Sequence, residues 1–96
     1  MYKIIYEPEA ENDLVEILFY YAENGGIHVA EAINLRIQNH IKKLESMPYR
    51  VADSLLVPNV KGYLIENLPY WAYFQIDENK KEIYILNIIH TRRKFL

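Results

Sequence analysis

The chain has 96 residues, with 11 Lys+Arg against 13 Asp+Glu, no cysteine, 51% hydrophobic and 14% aromatic residues. That length suits one domain over residues 1–96, and an apolar content this high with only 3 Gly and 4 Pro excludes wholesale disorder. Without cysteine, a disulfide framework and any thiolate zinc site are excluded as well. The longest apolar run, Ile83–Ile89, is interrupted by Asn87 and falls far short of the ~18 residues a membrane helix needs. The first residues, Met1 to Tyr6, pass quickly into acidic positions and do not read as a signal peptide, so a soluble cytoplasmic protein is expected.

Tyr2–Tyr6 is short, aromatic and β-branched, the pattern of a strand. Pro8 can open a helix because the first helical residue needs no N–H donor. Ala10, Leu14, Ile17, Leu18 and Tyr21 recur at three- and four-residue steps, predicting an amphipathic helix to about Glu23, stopped by Asn24-Gly25-Gly26. A second helix is predicted from about His28 to Met47 on the stripe Ala30, Ile33, Ile37, Ile41 and Leu44, with Pro48 ending it. So short a connection implies an antiparallel helical hairpin. Pro48 to Pro58 reads as a loop.

Beyond it the period changes to two. Strands are predicted at Gly62–Glu66, Tyr70–Ile76 and Glu82–His90, with turns at Asn67-Leu68-Pro69 and Asp77-Glu78-Asn79-Lys80. The order β-α-α-β-β-β predicts an α+β fold, a helical hairpin packed on one face of a mainly antiparallel four-stranded sheet. Strict alternation puts Trp71, Tyr73 and Gln75 on one side of their strand, and Ile83, Ile85, Asn87 and Ile89 on one side of the next. Two helices cover one face only, so a broad apolar second face is expected, to be covered by the Pro48–Val60 loop or by a partner.

Charge is unevenly spread. Residues 1–25 carry Lys3 against Glu7, Glu9, Glu11, Asp13, Glu16 and Glu23, whereas residues 80–96 carry Lys80, Lys81, Arg92, Arg93 and Lys94 against Glu82. Two readings of the tail stand. His90-Thr91-Arg92-Arg93-Lys94 combines a group that exchanges protons near neutral pH with guanidinium forks suited to phosphate or carboxylate. The same residues also fit a strand-end histidine and a solubilising tail. The carboxylates of the first helix read as its solvated side, and His28 and His40 stand too far apart to share a metal. Glu45 and Glu66 are possible bases, but nothing in the sequence pairs either with His90.

Taken in order, Tyr2-Lys3-Ile4-Ile5-Tyr6-Glu7-Pro8-Glu9-Ala10-Glu11-Asn12-Asp13-Leu14, Leu44-Glu45-Ser46-Met47-Pro48, Tyr70-Trp71-Ala72-Tyr73-Phe74-Gln75-Ile76-Asp77 and Ile85-Leu86-Asn87-Ile88-Ile89-His90-Thr91-Arg92-Arg93 resemble the RelE/ParE superfamily of bacterial type II toxin–antitoxin toxins. The resemblance covers nearly the whole chain, including the His-x-x-Arg ending His90–Arg93. It implies a cognate antitoxin as partner and one of two actions, neither needing a cofactor, a metal or a membrane. ParE-like members poison DNA gyrase; RelE-like members act with the ribosome and cut mRNA, a metal-independent endonuclease chemistry.

On the nuclease reading, His90 and Arg92 are the catalytic candidates, with Arg93, Lys61 and Glu45 as possible assistants. For target or antitoxin binding the candidates are Trp71, Tyr73, Ile83, Ile85, Asn87, Ile89, Arg92, Arg93 and Lys94. Three positions depart from the nuclease pattern: Trp71 stands where an arginine commonly follows the tyrosine, Tyr63 where a basic residue follows the glycine, and no tyrosine follows Arg93. With an acidic overall balance, these departures favour a ParE-like toxin over an mRNA interferase, with a non-toxic interaction module as a third reading.

Overall fold

The computed structural model describes residues 1–51, 53 and 57–93. In chain order the elements are β1 (Lys3–Tyr6), α1 (Pro8–Gly25), α2 (Ile27–Lys42), two 3₁₀ turns at Lys43–Glu45 and Pro48–Arg50, β2 (Lys61–Leu64), β3 (Tyr70–Asp77) and β4 (Glu82–His90). The sheet order is β1-β4-β3-β2. β1 runs parallel to β4, and the other two pairings are antiparallel.

Local chemistry accounts for the boundaries. Pro8 sits at the start of α1, and Glu9 and Glu11 lie in its first turn, where the helix dipole favours carboxylates. The stop predicted at Asn24-Gly25-Gly26 narrows to one residue: Gly26, at φ 89° and ψ 169°, separates the two helices. Its N–H donates to the Ala22 carbonyl at 2.9 Å and its own carbonyl accepts from Ala30 N–H at 3.2 Å, so one glycine closes α1 and opens α2. The predicted second helix splits, because its last turn tightens into the 3₁₀ turn Lys43–Glu45. In the β3–β4 turn, Asp77 Oδ1 accepts from the Lys80 N–H at 3.1 Å, an Asx-type closure.

Ala10 and Ile17 of α1 and Ile37 and Ile41 of α2 pack with Leu44 against Ala72 and Phe74 of β3 and Ile83, Ile85 and Ile88 of β4. Phe74 is fully buried at the centre. Burying an aliphatic or phenyl side chain of this size contributes about 1.5–3 kcal/mol.

Strict alternation fails in β4. From Asp77↔Glu82 to Phe74↔Ile85 the register with β3 is regular, then it shifts so that Tyr73 faces Asn87, Ala72 faces Ile88 and Tyr70 faces His90. Leu86 is the extra residue, a β-bulge that reverses the phase of the strand beyond it. Ile83 and Ile85 therefore join Ile88 under the helices, all at 3% exposure or less. The expectation that Ile83 and Ile85 lie on an exposed binding face is thereby corrected. The second face is also less open than alternation implied. Tyr73 is only 8% exposed, and a Cβ added at Gly62, its cross-strand partner, would stand 3.1 Å from the Tyr73 ring. Trp71 and Ile89 are half-buried. The exposed large apolar side chains include Val15 and Phe19 on α1 and Leu35 on α2.

Candidate functional site

The strand phase set at Leu86 brings His90 to the helix side of the sheet, across from Tyr70. There a cleft of about 460 Å³ opens between α1 and the ends of β3 and β4. One wall is α1, with Asp13, Glu16, Ile17 and Tyr20; the floor is Tyr70 and Ile88; the far rim is His90, Arg92 and Arg93, with Ile89 beside them.

Backbone bonds hold the rim in a turn. Thr91 N–H donates to the Pro69 carbonyl and Arg93 N–H to the His90 carbonyl, each at 2.8 Å. Arg92 N–H donates to His90 Nδ1 at 3.1 Å. With Nδ1 accepting, the neutral imidazole carries its proton on Nε2. The His90 ring meets Tyr70 edge to face, centroids 5.5 Å apart. Burial, and then a hydrogen bond with the Tyr21 hydroxyl, raise the Tyr70 phenol above its ordinary range, so it stays protonated. On the α1 wall Asp13 Oδ2 accepts from Ile88 N–H at 2.9 Å and from Asn87 Nδ2 at 3.2 Å. Among the described residues the ion pairs are Lys61–Asp53 and Lys81–Glu78, so the exposed guanidiniums of Arg92 and Arg93 have no carboxylate partner there.

Of the residues the sequence nominated, the cleft collects His90, Arg92, Arg93 and Ile89. Asn87 sits at its edge with its amide tied to Asp13 and Glu9. Trp71 and Tyr73 lie on the opposite face of the sheet with their rings 6.3 Å apart, and Lys94 falls outside the described residues. Lys61 is corrected as an assistant to His90. It pairs with Phe74, four residues along β3 from Tyr70, about 13 Å at ~3.3 Å per residue. Its ammonium is spent on the Val51 carbonyl at 2.8 Å and Asp53 at 2.9 Å. Glu45 is corrected too. Its carbonyl accepts from Tyr2 N–H at the far end of the sheet, close to the full length of β4 from His90, roughly 25 Å.

Asp13 and Glu16 read in the sequence as part of a solvated helix face, and Tyr20 and Tyr70 are not among its candidate site residues. A signal was present: Asp13, Glu16 and Tyr20 stand at i, i+3 and i+7, one face of α1. Only the bulge, invisible in a period-two pattern, places that face opposite His90. The cleft can hold an anionic group on its rim and a cationic or hydrogen-bond-donating group on its α1 wall. Among the described residues no set of three or more His, Asp or Glu side chains could hold a metal ion, and no helix is long and apolar enough to cross a membrane.

No curated protein matches the chain in sequence. Among solved structures, a toxin–antitoxin chain of the chromosomal ParDE system from P. aeruginosa aligns at TM-score 0.83 and 27% identity, over 94% of this chain and 96% of that one. The E. coli RelBE toxin–antitoxin complex aligns at TM-score 0.65 and 12% identity, over 97% of this chain and 100% of that one. The RelBE2 complex from Mycobacterium tuberculosis aligns at TM-score 0.59 and 18% identity, over 93% and 96%. At those lower identities the two RelBE structures share the fold with this chain. The family of the ParE toxin of type II toxin–antitoxin systems, parDE, matches residues 4–95, nearly the whole sequence, and to that family, within the RelE/ParE superfamily, the chain belongs.

Proposed function

We propose that this ParE toxin acts in the cytoplasm by binding a protein target such as DNA gyrase, and that a cognate antitoxin neutralises it. The observation that carries the reading is the mixed charge of the cleft: Arg92, Arg93 and His90 face Asp13 and Glu16 across one opening. A site that grips a scissile phosphate gathers several cations around it, because phosphate contacts dominate nucleic-acid affinity. A protein surface presents both signs, and opposed charges on the two walls set the orientation in which it docks. Of the further cation and base that the sequence offered a nuclease, Lys61 has its ammonium bound to Val51 and Asp53, and Glu45 lies at the far end of the sheet from His90.

Similarity to a ParDE chain supports an antitoxin partner. An antitoxin segment that lays acidic residues against Arg92 and Arg93 would fit the rim, and its binding should weaken with added salt.

Controlled expression with and without the antitoxin, read by plasmid supercoiling and by cleavage of translating mRNA, tests the reading. Growth arrest with altered supercoiling and intact mRNA is the expected result. The RelE-like alternative rests on His90 and Arg92 sharing the cleft. Ribosome-dependent cleavage that disappears in Arg92→Ala would establish it and overturn the gyrase reading.

A further inference from the structure

The bulge at Leu86 decides which side chain enters the cleft. If the register that runs from Asp77↔Glu82 to Phe74↔Ile85 continued unbroken, Tyr73 would face Leu86, Ala72 would face Asn87 and Tyr70 would face Ile89. A one-residue change of phase turns every following side chain over. Asn87 and Ile89 would then point to the helices, and His90 would leave the cleft for the opposite face.

Something must hold the extra residue on the side of β4 away from β3. β1 pairs with β4 only as far as Tyr6↔Ile85, and the Glu7 N–H makes the last bond on that side, to the Ile85 carbonyl at 2.9 Å. Beyond Ile85 the edge of β4 has no strand neighbour among the described residues. A carboxylate from α1 stands there instead. Asp13 Oδ2 takes the Ile88 N–H at 2.9 Å and the Asn87 amide at 3.2 Å, and Glu9 Oε2 takes the same amide at 3.3 Å. Both residues bound by Asp13 immediately follow the bulged position. A backbone N–H and a side-chain amide are held by one charged acceptor, which is a stronger contact than a neutral pair.

We propose that Asp13 is a positioning residue for the cleft: by binding Ile88 N–H and Asn87 it locks the bulge at Leu86 in place, and the bulge keeps His90 facing Tyr70. Its effect runs through strand phase, and the carboxylate need not touch a target. Growth arrest as a readout rests on the cleft being the working site, whereas the ring contact does not.

The test uses the full chain. In the unsubstituted protein, NMR should show cross-peaks between the His90 and Tyr70 rings and slow exchange of the Ile88 amide. In Asp13→Ala those cross-peaks should vanish, Ile88 exchange should accelerate at least tenfold and growth arrest should be lost, while Asp13→Asn, which keeps an acceptor oxygen, should retain the cross-peaks and the slow Ile88 exchange. Deleting Leu86 removes the extra residue and leaves Ile88 and His90 in phase with no bulge to lock. Combined with Asp13→Ala, that deletion should restore the His90–Tyr70 cross-peaks, a rescue that a general loss of stability would not produce. A folded Asp13→Ala chain with His90 still against Tyr70 would overturn the proposal. If Asp13→Ala alone does not fold, the double variant decides: His90 against Tyr70 supports the proposal, and His90 elsewhere overturns it. Loss of the ring contact with growth arrest intact would support the positioning role and overturn the cleft as the working site.

Discussion

The two ends of the sheet treat their polar groups in opposite ways. At the end where β1 begins and the β3–β4 turn closes, Glu78 accepts from the hydroxyls of Tyr2 and Tyr49, each at 2.6 Å, and pairs with Lys81. Lys81 in turn lies over the Tyr2 ring at 5.1 Å. Nearby, Lys61 is bound to Val51 and Asp53. At the His90 end, Arg92 and Arg93 are exposed with no carboxylate partner among the described residues, and their turn is held by backbone bonds and the His90 imidazole, leaving both guanidiniums out of it. Charges that satisfy one another inside the fold join its parts; charges held in place but left open are available to another molecule. The first end fastens the N-terminal strand, the 3₁₀ turn Pro48–Arg50 and the hairpin together, and the second presents a surface.

Substitutions can break or sharpen that contrast. The largest effect is expected at Phe74, which lies between the two ends at 0% exposure. Phe74→Ala should cost about 3–5 kcal/mol in urea denaturation and weaken both ends together. Loss of structure confined to one end would show that the ends are separate units. Next comes Lys61→Met, which keeps the buried stem and removes two charge-assisted donors. A loss of about 1 kcal/mol is expected, small for a buried ion pair because Asp53 is 70% exposed and solvent screens it.

Acid should act at the Glu78 end. The Lys81 ammonium, followed by the Tyr2 and Tyr49 hydroxyls, holds the Glu78 carboxyl down at about 2 from an ordinary 4.5. The folded value lies below the unfolded one, so this contribution is present above pH 4.5 and is lost as pH falls through about 2. Thermal denaturation from pH 6 to 2 should show that loss in the parent chain and a flatter profile in Glu78→Gln. The smallest effects on stability belong to the open end: Arg92→Ala and Arg93→Ala should stay within about 0.5 kcal/mol of the parent while growth arrest falls. A larger loss in either would mean that the arginine serves the fold.

The sequence carried the order of elements and most of the core, because long periodic runs such as Ala10 to Tyr21 and the alternation of Tyr70 to Ile76 report burial directly. It misled at β4, where the run Ile83 to Ile89 is apolar at nearly every position and a change of phase leaves no mark. Asn87 is the one amide in that run, and by itself it marks nothing. What distinguishes Asn87 is its bond to Asp13, 74 residues earlier in the chain, and no local pattern records such a distance. The site was legible as far as its rim, in His90, Arg92 and Arg93. Its α1 wall stayed hidden because acidic residues on a helix read first as a solvated face.

The parallel pairing of β1 with β4 has a consequence in time. Lys3 finds its partner Glu82 near the other end of the chain, and β4 lies between β1 and β3. As the chain is synthesised, α1 and α2 can meet early through neighbouring contacts, and β2 and β3 can pair soon after. The first strand has no place until the last one exists, and long-range pairings of this kind form slowly. The cleft is therefore among the last features to assemble, because His90 can face Tyr70 only once β4 has paired with β3.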